Sequence, residues 1–473
     1  MKIYHRNIRI FSLILALILQ LQLVACGGSG TNNTNKDFPV VVFSDVHFDP
    51  FYDLSLFEAL NAADASQWAG IFQTSLIKAP SVWGADTNYP LLALALSSIK
   101  QNLGTSPLII FTGDILGHYL PQQFYQKING TSKPRNDADV AAMKAFTDKT
   151  VAFFMKQVRS SFGNIPVMFA VGNSDSYTGL GPDSSFLSDT AELYYTNFVN
   201  GTVDHQTFLD TFTSGGYYSA ELPGTDLMVI GLNTYEFSPF FGDTTYSAVT
   251  AELAWFDLTL ASAQARGKKV WLLMHVPPGA DKYSTAQSID ANGHITTATM
   301  MWNQDYQTHF LQILSKYPDT ITLTLAAHTH MDEYRILPSS DVLEITPAIA
   351  PYFGNNPAFR VFTFSHDTYK PVDYRSLNYD LATNPEQFDS YYTFSAAYSM
   401  QGLLNNSLAQ LYPALLTDNA KQTLYRGHYF SGHNYSIPVT NTFNPITNTN
   451  WPVYWCGIGN MGEAEIVACV NSY

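Results

Sequence analysis

Six short apolar runs recur along the chain, at residues 40–43, 108–112, 167–171, 227–232, 270–274 and 321–326. Each is continuous rather than alternating, which suits strands buried on both faces. Between several of them lie stretches of helical character, at 90–101, 137–159 and 248–265. The last is followed by Gly267, the residue type that most readily ends a helix. Alternation of strand and helix predicts an α/β layered domain. Near residue 370 the pattern changes. Residues 380–425 are rich in helix formers and aromatics, with Tyr391, Tyr392, Phe394 and Tyr398 periodically placed, and 428–455 is loop-like. The chain therefore divides into a large α/β domain over 38–370 and a small, mainly helical C-terminal subdomain over 371–473.

The first residues stand apart. Lys2, His5, Arg6 and Arg9 precede an apolar run over 10–23, the layout of a secretory signal. The run is shorter than the roughly 20 residues that a bilayer-spanning helix needs. It ends in Leu23-Val24-Ala25-Cys26-Gly27, which resembles a bacterial lipobox, with Cys26 as the acylated residue over 1–26 and a Gly/Ser/Asn/Thr-rich tether over 27–37. This predicts an exported protein of a bacterial cell envelope, held to a membrane surface by lipid without spanning it, and secreted if the lipobox is not used. Only Cys456 and Cys469 then remain. An even pair in an exported chain reads as a disulfide, with a structural zinc as the weaker alternative.

Composition narrows the partners. Hydrophobic residues make up 46% of the 473 residues, enough for a sizeable core. The net charge is -15 and no Lys/Arg-rich stretch exists, which argues against a nucleic acid polymer as partner. Nothing in the sequence specifies an oligomer.

The candidate chemistry sits at the ends of the apolar runs. Asp45-Val46-His47 follows the first, Gly113-Asp114 the second, Gly172-Asn173 the third, Met274-His275 the fifth and Ala327-His328-Thr329-His330 the sixth. Taken singly, each has a bland reading as a turn residue or a core histidine. Together they line the carboxyl ends of buried strands, the edge where layered α/β sheets bind ligands. A carboxylate such as Asp114 can give one oxygen to each of two cations. Among the remaining histidines, His294, His309, His366, His428 and His433 have no motif context and are expected on the surface or in loops.

Over roughly residues 38–365 this ordered set resembles the calcineurin-like metallophosphoesterases. The resemblance implies a four-layer α/β/β/α sandwich with two facing mixed sheets. It implies one divalent metal on Asp45, His47, Asp114 and His330, and a second on Asp114, Asn173, His275 and His328. Imidazole-rich ligation with a neutral Asn favours zinc, with manganese and iron as alternatives. Asp114-Ile115-Leu116-Gly117-His118, the run from Glu252-Leu253-Ala254-Trp255-Phe256 to His275-Val276-Pro277-Pro278-Gly279, and the Tyr-rich C-terminal region look like the acid sphingomyelinase-like phosphodiesterases. By that resemblance His118 faces the substrate as a catalytic group. No saposin-like segment precedes the domain, so a soluble phosphodiester of nucleotide or headgroup type is expected over sphingomyelin drawn from a bilayer.

One departure matters. The family follows its ligand Asn with a His that assists the leaving group; here the chain reads Asn173-Ser174-Asp175. A serine cannot replace an imidazole as an acid near neutral pH, which leaves that task to His118. The expected reaction is hydrolysis of a phosphodiester or pyrophosphate bond by a hydroxide that the two metals generate from water. The rival readings are an exported phosphomonoesterase, such as an acid phosphatase or nucleotidase, and a surface binding protein whose activity has weakened.

Overall fold

The computed structural model describes residues 37–239, 247–338, 341–433 and 445–473; the signal-like segment, Cys26 and most of the tether lie outside the described residues. Residues 38–473 form one compact unit. Two mixed six-stranded sheets organise it. The first runs in the order β12 (Asp389–Thr393), β11 (Pro371–Asn378), β10 (Ala358–Phe364), β1 (Phe38–Phe43), β2 (Ile109–Phe111), β3 (Val167–Phe169). The second runs β4 (Tyr218–Glu221), β5 (Leu227–Gly231), β6 (Lys269–Leu273), β7 (Ile321–Ala326), β9 (Val342–Ile345), β8 (Glu333–Ile336). Within them β1–β2–β3 and β5–β6–β7–β9 are parallel, so each set delivers its carboxyl ends to one edge.

The continuous apolar runs have their two-sided burial because each sheet is covered twice. In β5 and β6, Leu227, Val229, Trp271 and Leu273 join the core that lies between the sheets. Their neighbours Met228, Ile230, Val270 and Leu272 join a second core under the helices Ser247–Ala265 and Gln304–Lys316. Strand side chains alternate faces, so this division is the mark of a sheet packed between a sheet and a helical layer. Trp271 shows the sheet-to-sheet contact, with its ring 4.2 Å from that of Phe364 in β10. On the outer face of the first sheet lies the helix Asp137–Phe162, where Phe154 meets Phe111 at 5.4 Å. The expected helix–sheet–sheet–helix sandwich is the observed one. Gly267, at φ +68°, ends the helix Ser247–Ala265 as its position suggested.

The C-terminal boundary differs from expectation. β11 and β12 extend the first sheet beyond residue 370, and the helical region begins only at Phe394. The aromatic cluster at 388–398 fits a period of 2 as well as one of 3.6, and the edge of β11 decides for the strand. Tyr392 pairs with Ser376 across it, its hydroxyl 2.9 Å from that of Tyr374. Helices follow, among them Leu404–Thr417, Asn419–Tyr429, Trp451–Gly459 and Glu463–Asn471, the last two joined by a Cys456–Cys469 disulfide. Of the histidines expected on the surface or in loops, His428 is instead buried in a helix, 6% exposed, and His433 lies in a loop but is also buried, 3% exposed. Among the described residues no helix is long and apolar enough to cross a membrane.

Candidate metal centre and active site

The chain turns sharply within a few residues of each contributing strand end. Asp45, His47, Asp114, His328 and His330 all have positive φ, between 43° and 72°. Non-glycine residues rarely occupy this left-handed region and do so at a cost of about 1–3 kcal/mol, a strain typical of functional sites. The turns are pinned from outside. The amides of Asp45 and His47 donate to the carbonyls of Gly113 and Asp114, each at 3.0 Å. The His275 Nδ1–H donates to the Thr112 carbonyl at 2.8 Å, tying the second sheet to the first. Two glycines make the close approach possible. At Gly113 a Cβ would stand 2.8 Å from the Gly172 nitrogen, and at Gly172 one would stand 2.0 Å from Asp114 Oδ1.

These turns bring together all seven residues that the sequence singled out as ligands. Asp114 Oδ2 lies 3.2 Å from His47 Nε2 and 3.1 Å from His275 Nε2, nearly equidistant between two groups of donors. On one side, His47 Nε2 and His330 Nε2 approach to 3.0 Å, with Asp45 Oδ1 at 3.5 Å from the latter. On the other, His275 Nε2 and Asn173 Oδ1 are 3.0 Å apart, and Asp114, His275 and His328 have atoms within 4.8 Å of one another. Because Nδ1 of His47 donates to the Leu116 carbonyl, as His275 does to Thr112, the Nε2 atoms are the ones turned inward.

The donor set fits a pair of cations. Both carboxylate oxygens of Asp45 are buried without a hydrogen-bond partner, a costly arrangement unless a cation satisfies them. The electrostatics agree. Burial raises the pKa of Asp114, but His275 and His47 outweigh it and hold the carboxylate well below its usual range. Burial lowers His47 and His275, yet Asp114 lifts both to about 9, so in the metal-free protein protons hold the places cations would take. Burial, reinforced by His275, pushes His328 down to about 3, and burial with His47 keeps His330 well below its ordinary value. Both are neutral imidazoles, as ligands must be.

Beside this centre His118 is held by a residue that no motif marked. Asp86 Oδ1 accepts the Nδ1–H of His118 at 2.7 Å, and Asp86 Oδ2 accepts its backbone N–H at 2.7 Å. This leaves Nε2 free toward the cavity. His118 also lies within 4.8 Å of the ring nitrogens of His47 and His330, but its ring is stacked flat on His47 with centroids 4.0 Å apart. Burial, with His47 second, lowers its pKa. Asp86 was invisible in the sequence because it comes from an irregular loop with no neighbouring signal.

Ser174 and Asp175 do not face the cavity. The Ser174 N–H donates to Asp114 Oδ1 at 2.7 Å. Asp175, fully buried, accepts from the amides of Asp114, Ile115, Leu116 and Gly172 at 2.8–3.3 Å. The two residues that follow Asn173 therefore fasten the bridging segment in place. Nearby, Asp49 accepts from the Phe51 amide at 2.8 Å in a turn, and burial raises it to about 7.

The site opens into a cavity of about 170 Å³. Asp114, His118, Asn173, His328 and His330 form its floor, and it continues past them to a wall contributed by the C-terminal helices, with Tyr429, Phe430 and Tyr454. Among the described residues its one basic side chain besides the histidines is Lys282, buried and paired with Glu333.

Residues 38–332 match the calcineurin-like phosphoesterase family, and the chain belongs to it. It is a metallophosphoesterase, of a family that works with a dinuclear metal site. The chain is similar to sphingomyelin phosphodiesterase B of Dictyostelium discoideum, 25% identical over 439 residues that cover 85% of this chain and 61% of that protein. It thus spans less than two thirds of that relative. It is 24% identical over 451 residues to the cyclic GMP-AMP phosphodiesterase SMPDL3A of Homo sapiens, covering 90% of this chain and 89% of the relative. Among solved structures, a dimetal phosphatase from Danio rerio aligns with a TM-score of 0.44 at 11% identity, over 72% of this chain and 95% of that one. The resemblance drawn from the sequence and the sandwich it implied are both borne out.

Proposed function

We propose that the protein is a phosphodiesterase, acting on a small diester of nucleotide or headgroup type, with zinc as the metal and manganese or iron as alternatives. In this reading Asp45, His47, Asp114 and His330 hold one cation and Asp114, Asn173, His275 and His328 the other. The observation that carries the diester preference is the cavity's charge. Apart from the metal centre, the only basic side chain among the described residues that line it is Lys282, already neutralised by Glu333. A monoester brings a dianion with three oxygens to satisfy, whereas a diester brings a monoanion and a second substituent. The aromatic wall beyond the metal floor suits that substituent. The two relatives named above, a sphingomyelin phosphodiesterase and a cyclic GMP-AMP phosphodiesterase, support the same choice.

Bound there, two divalent cations supply Lewis acidity and a water acidified toward neutral pH. The chain's own residues do the rest. Asp114, fixed by Ser174, keeps both donor groups in register. His118, turned by Asp86 so that Nε2 faces the cavity, acts from its doubly protonated form: it hands the Nε2 proton to the leaving oxygen as the P–O bond breaks and keeps the Nδ1 proton on Asp86. Position 174 offers no second acid. The test is hydrolysis of bis(4-nitrophenyl) phosphate and 4-nitrophenyl phosphate by one preparation whose metal content is measured. A kcat/KM higher for the diester, with about two metal equivalents per chain, is expected. A clear preference for the monoester would transfer the protein to the phosphatase reading, and metal-loaded protein inert on both would favour the binding protein.

Export and lipid anchoring rest on residues 1–37, where the apolar run ending at Cys26 supports them. Cells expressing the full chain should incorporate labelled fatty acid into it, and Cys26→Ala should abolish the label. Label retained in that variant would sink the lipobox assignment.

A further inference from the structure

His118 carries an unusual burden in this chain. With Ser174 turned away to Asp114, no other histidine outside the ligand set lines the cavity among the described residues. A proton donor must present Nε2 along a fixed direction, and an imidazole has two soft torsions. Asp86 fixes one edge of the ring by accepting from Nδ1–H at 2.7 Å. A single hydrogen bond still lets the ring pivot about that edge. The ring's two faces are what remain to be held.

Both faces are covered. On one side lies His47, with centroids 4.0 Å apart and planes 16° from parallel. On the other lies Tyr352, also at 4.0 Å and 23° from parallel. His47 is placed by its own role among the ligands, so the face that can be adjusted is the Tyr352 face. Tyr352 is only partly buried, and it belongs to a loop rather than to a strand or helix. That loop is tied to the segment bearing Asp86: the Gly84 amide donates to the Pro351 carbonyl at 3.0 Å. It is tied again where His433 bonds to the Gly354 carbonyl and stacks on Trp83, with centroids 4.1 Å apart and planes 8° from parallel. The residue that grips the edge of His118 and the residue that covers its face therefore belong to one hydrogen-bonded body.

We propose that Tyr352 is a positioning residue for leaving-group protonation, acting by clamping the imidazole of His118 between itself and His47. This rests on the phosphodiesterase reading above and deepens it. The clamp needs an aromatic face and not a hydroxyl, so Phe serves in its place and Ala does not. Loss of the clamp disorients the donor without touching the metal ligands. Its effect then scales with how much the leaving oxygen needs a proton: large for phenolate, small for nitrophenolate.

The test uses the metal-loaded full chain with methyl aryl phosphodiesters graded from nitrophenol to phenol as leaving group. Tyr352→Ala should lower kcat for the phenyl ester on the order of 10-fold or more and leave the nitrophenyl ester within about 3-fold. KM and metal content should stay unchanged. Tyr352→Phe should restore the wild-type slope of rate against leaving group. An equal loss across the series in Tyr352→Ala, or no loss at all, would overturn the clamp while leaving the diesterase reading intact; so would a Tyr352→Phe variant as impaired as the Ala variant. A wild-type protein that cleaves no diester in the series would overturn the functional reading itself, and the clamp with it.

Discussion

An added methyl at position 172 would stand 2.0 Å from Asp114 Oδ1 and 2.3 Å from the Asp114 nitrogen. Neither neighbour is free to retreat. The Asp114 carboxylate accepts from Ser174 and lies against His47 and His275, and its backbone is held by Asp175. The clash must be relieved by moving the one group that serves both halves of the metal centre. Gly172→Ala is therefore expected to bind metal at least 10-fold more weakly, a loss of the size seen when groups that orient ligands are disturbed. Titration of the metal-free variant with zinc, followed by calorimetry, reads this directly. Wild-type affinity for both equivalents would show that the strand ends yield more easily than their packing implies. Asp175 illustrates the same economy of placement. It stands beside Ser174 at the site, yet its oxygens are consumed by four backbone amides.

At the scale of elements, what the sequence disclosed was whatever depends on local pattern. The strands β1, β2, β3, β5, β6 and β7 stand where continuous apolar runs placed them, because a strand covered on both faces has no polar side to interrupt it. The ligands were legible for a related reason. Each follows its strand by a few residues, and Asp-x-His, Gly-Asp and His-x-His keep their spacing whatever the surrounding loops do. β8, β9, β11 and β12 were not legible. They are short or carry polar residues such as Glu333, Arg335, Glu344, Asp373 and Arg375, which read as loop or helix. Several of those charges are buried in pairs: Arg360 meets both Asp332 and Glu344, and Lys282 meets Glu333. Such pairing appears only when distant segments meet, as between β8, β9 and β10, and no window along the chain records it. Asp86 and Tyr352 were hidden in the same way. One comes from an irregular loop after Trp83 and the other from a loop after β9, and only His118 brings them together.

At the scale of the whole molecule, the C-terminal helices are fastened to the first sheet through buried polar groups, and this makes stability depend on pH. His428, in the helix Asn419–Tyr429, lies flat on Tyr392 of β12 with ring centroids 3.7 Å apart, and Tyr398 bonds its Nδ1 at 3.0 Å. Burial lowers its pKa from 6.5 to about 4, against the attraction of Asp332 and with the repulsion of Arg360. The folded protein therefore refuses a proton that the unfolded chain accepts below about pH 6.5. Stability from this group is complete above that pH and falls as the pH drops toward 4. A shift of this size corresponds to roughly 3 kcal/mol across the window. Other buried groups titrate in the same range, so the contribution is isolated by difference. His428→Phe keeps the stacked ring and removes the proton site. Urea unfolding at pH 7 and pH 4 should show the wild type losing roughly 3 kcal/mol more than the variant between the two, whatever the offset at pH 7 from the lost Tyr398 bond. Equal losses would mean that His428 takes its proton in the folded state, with the helix and β12 parting to admit it.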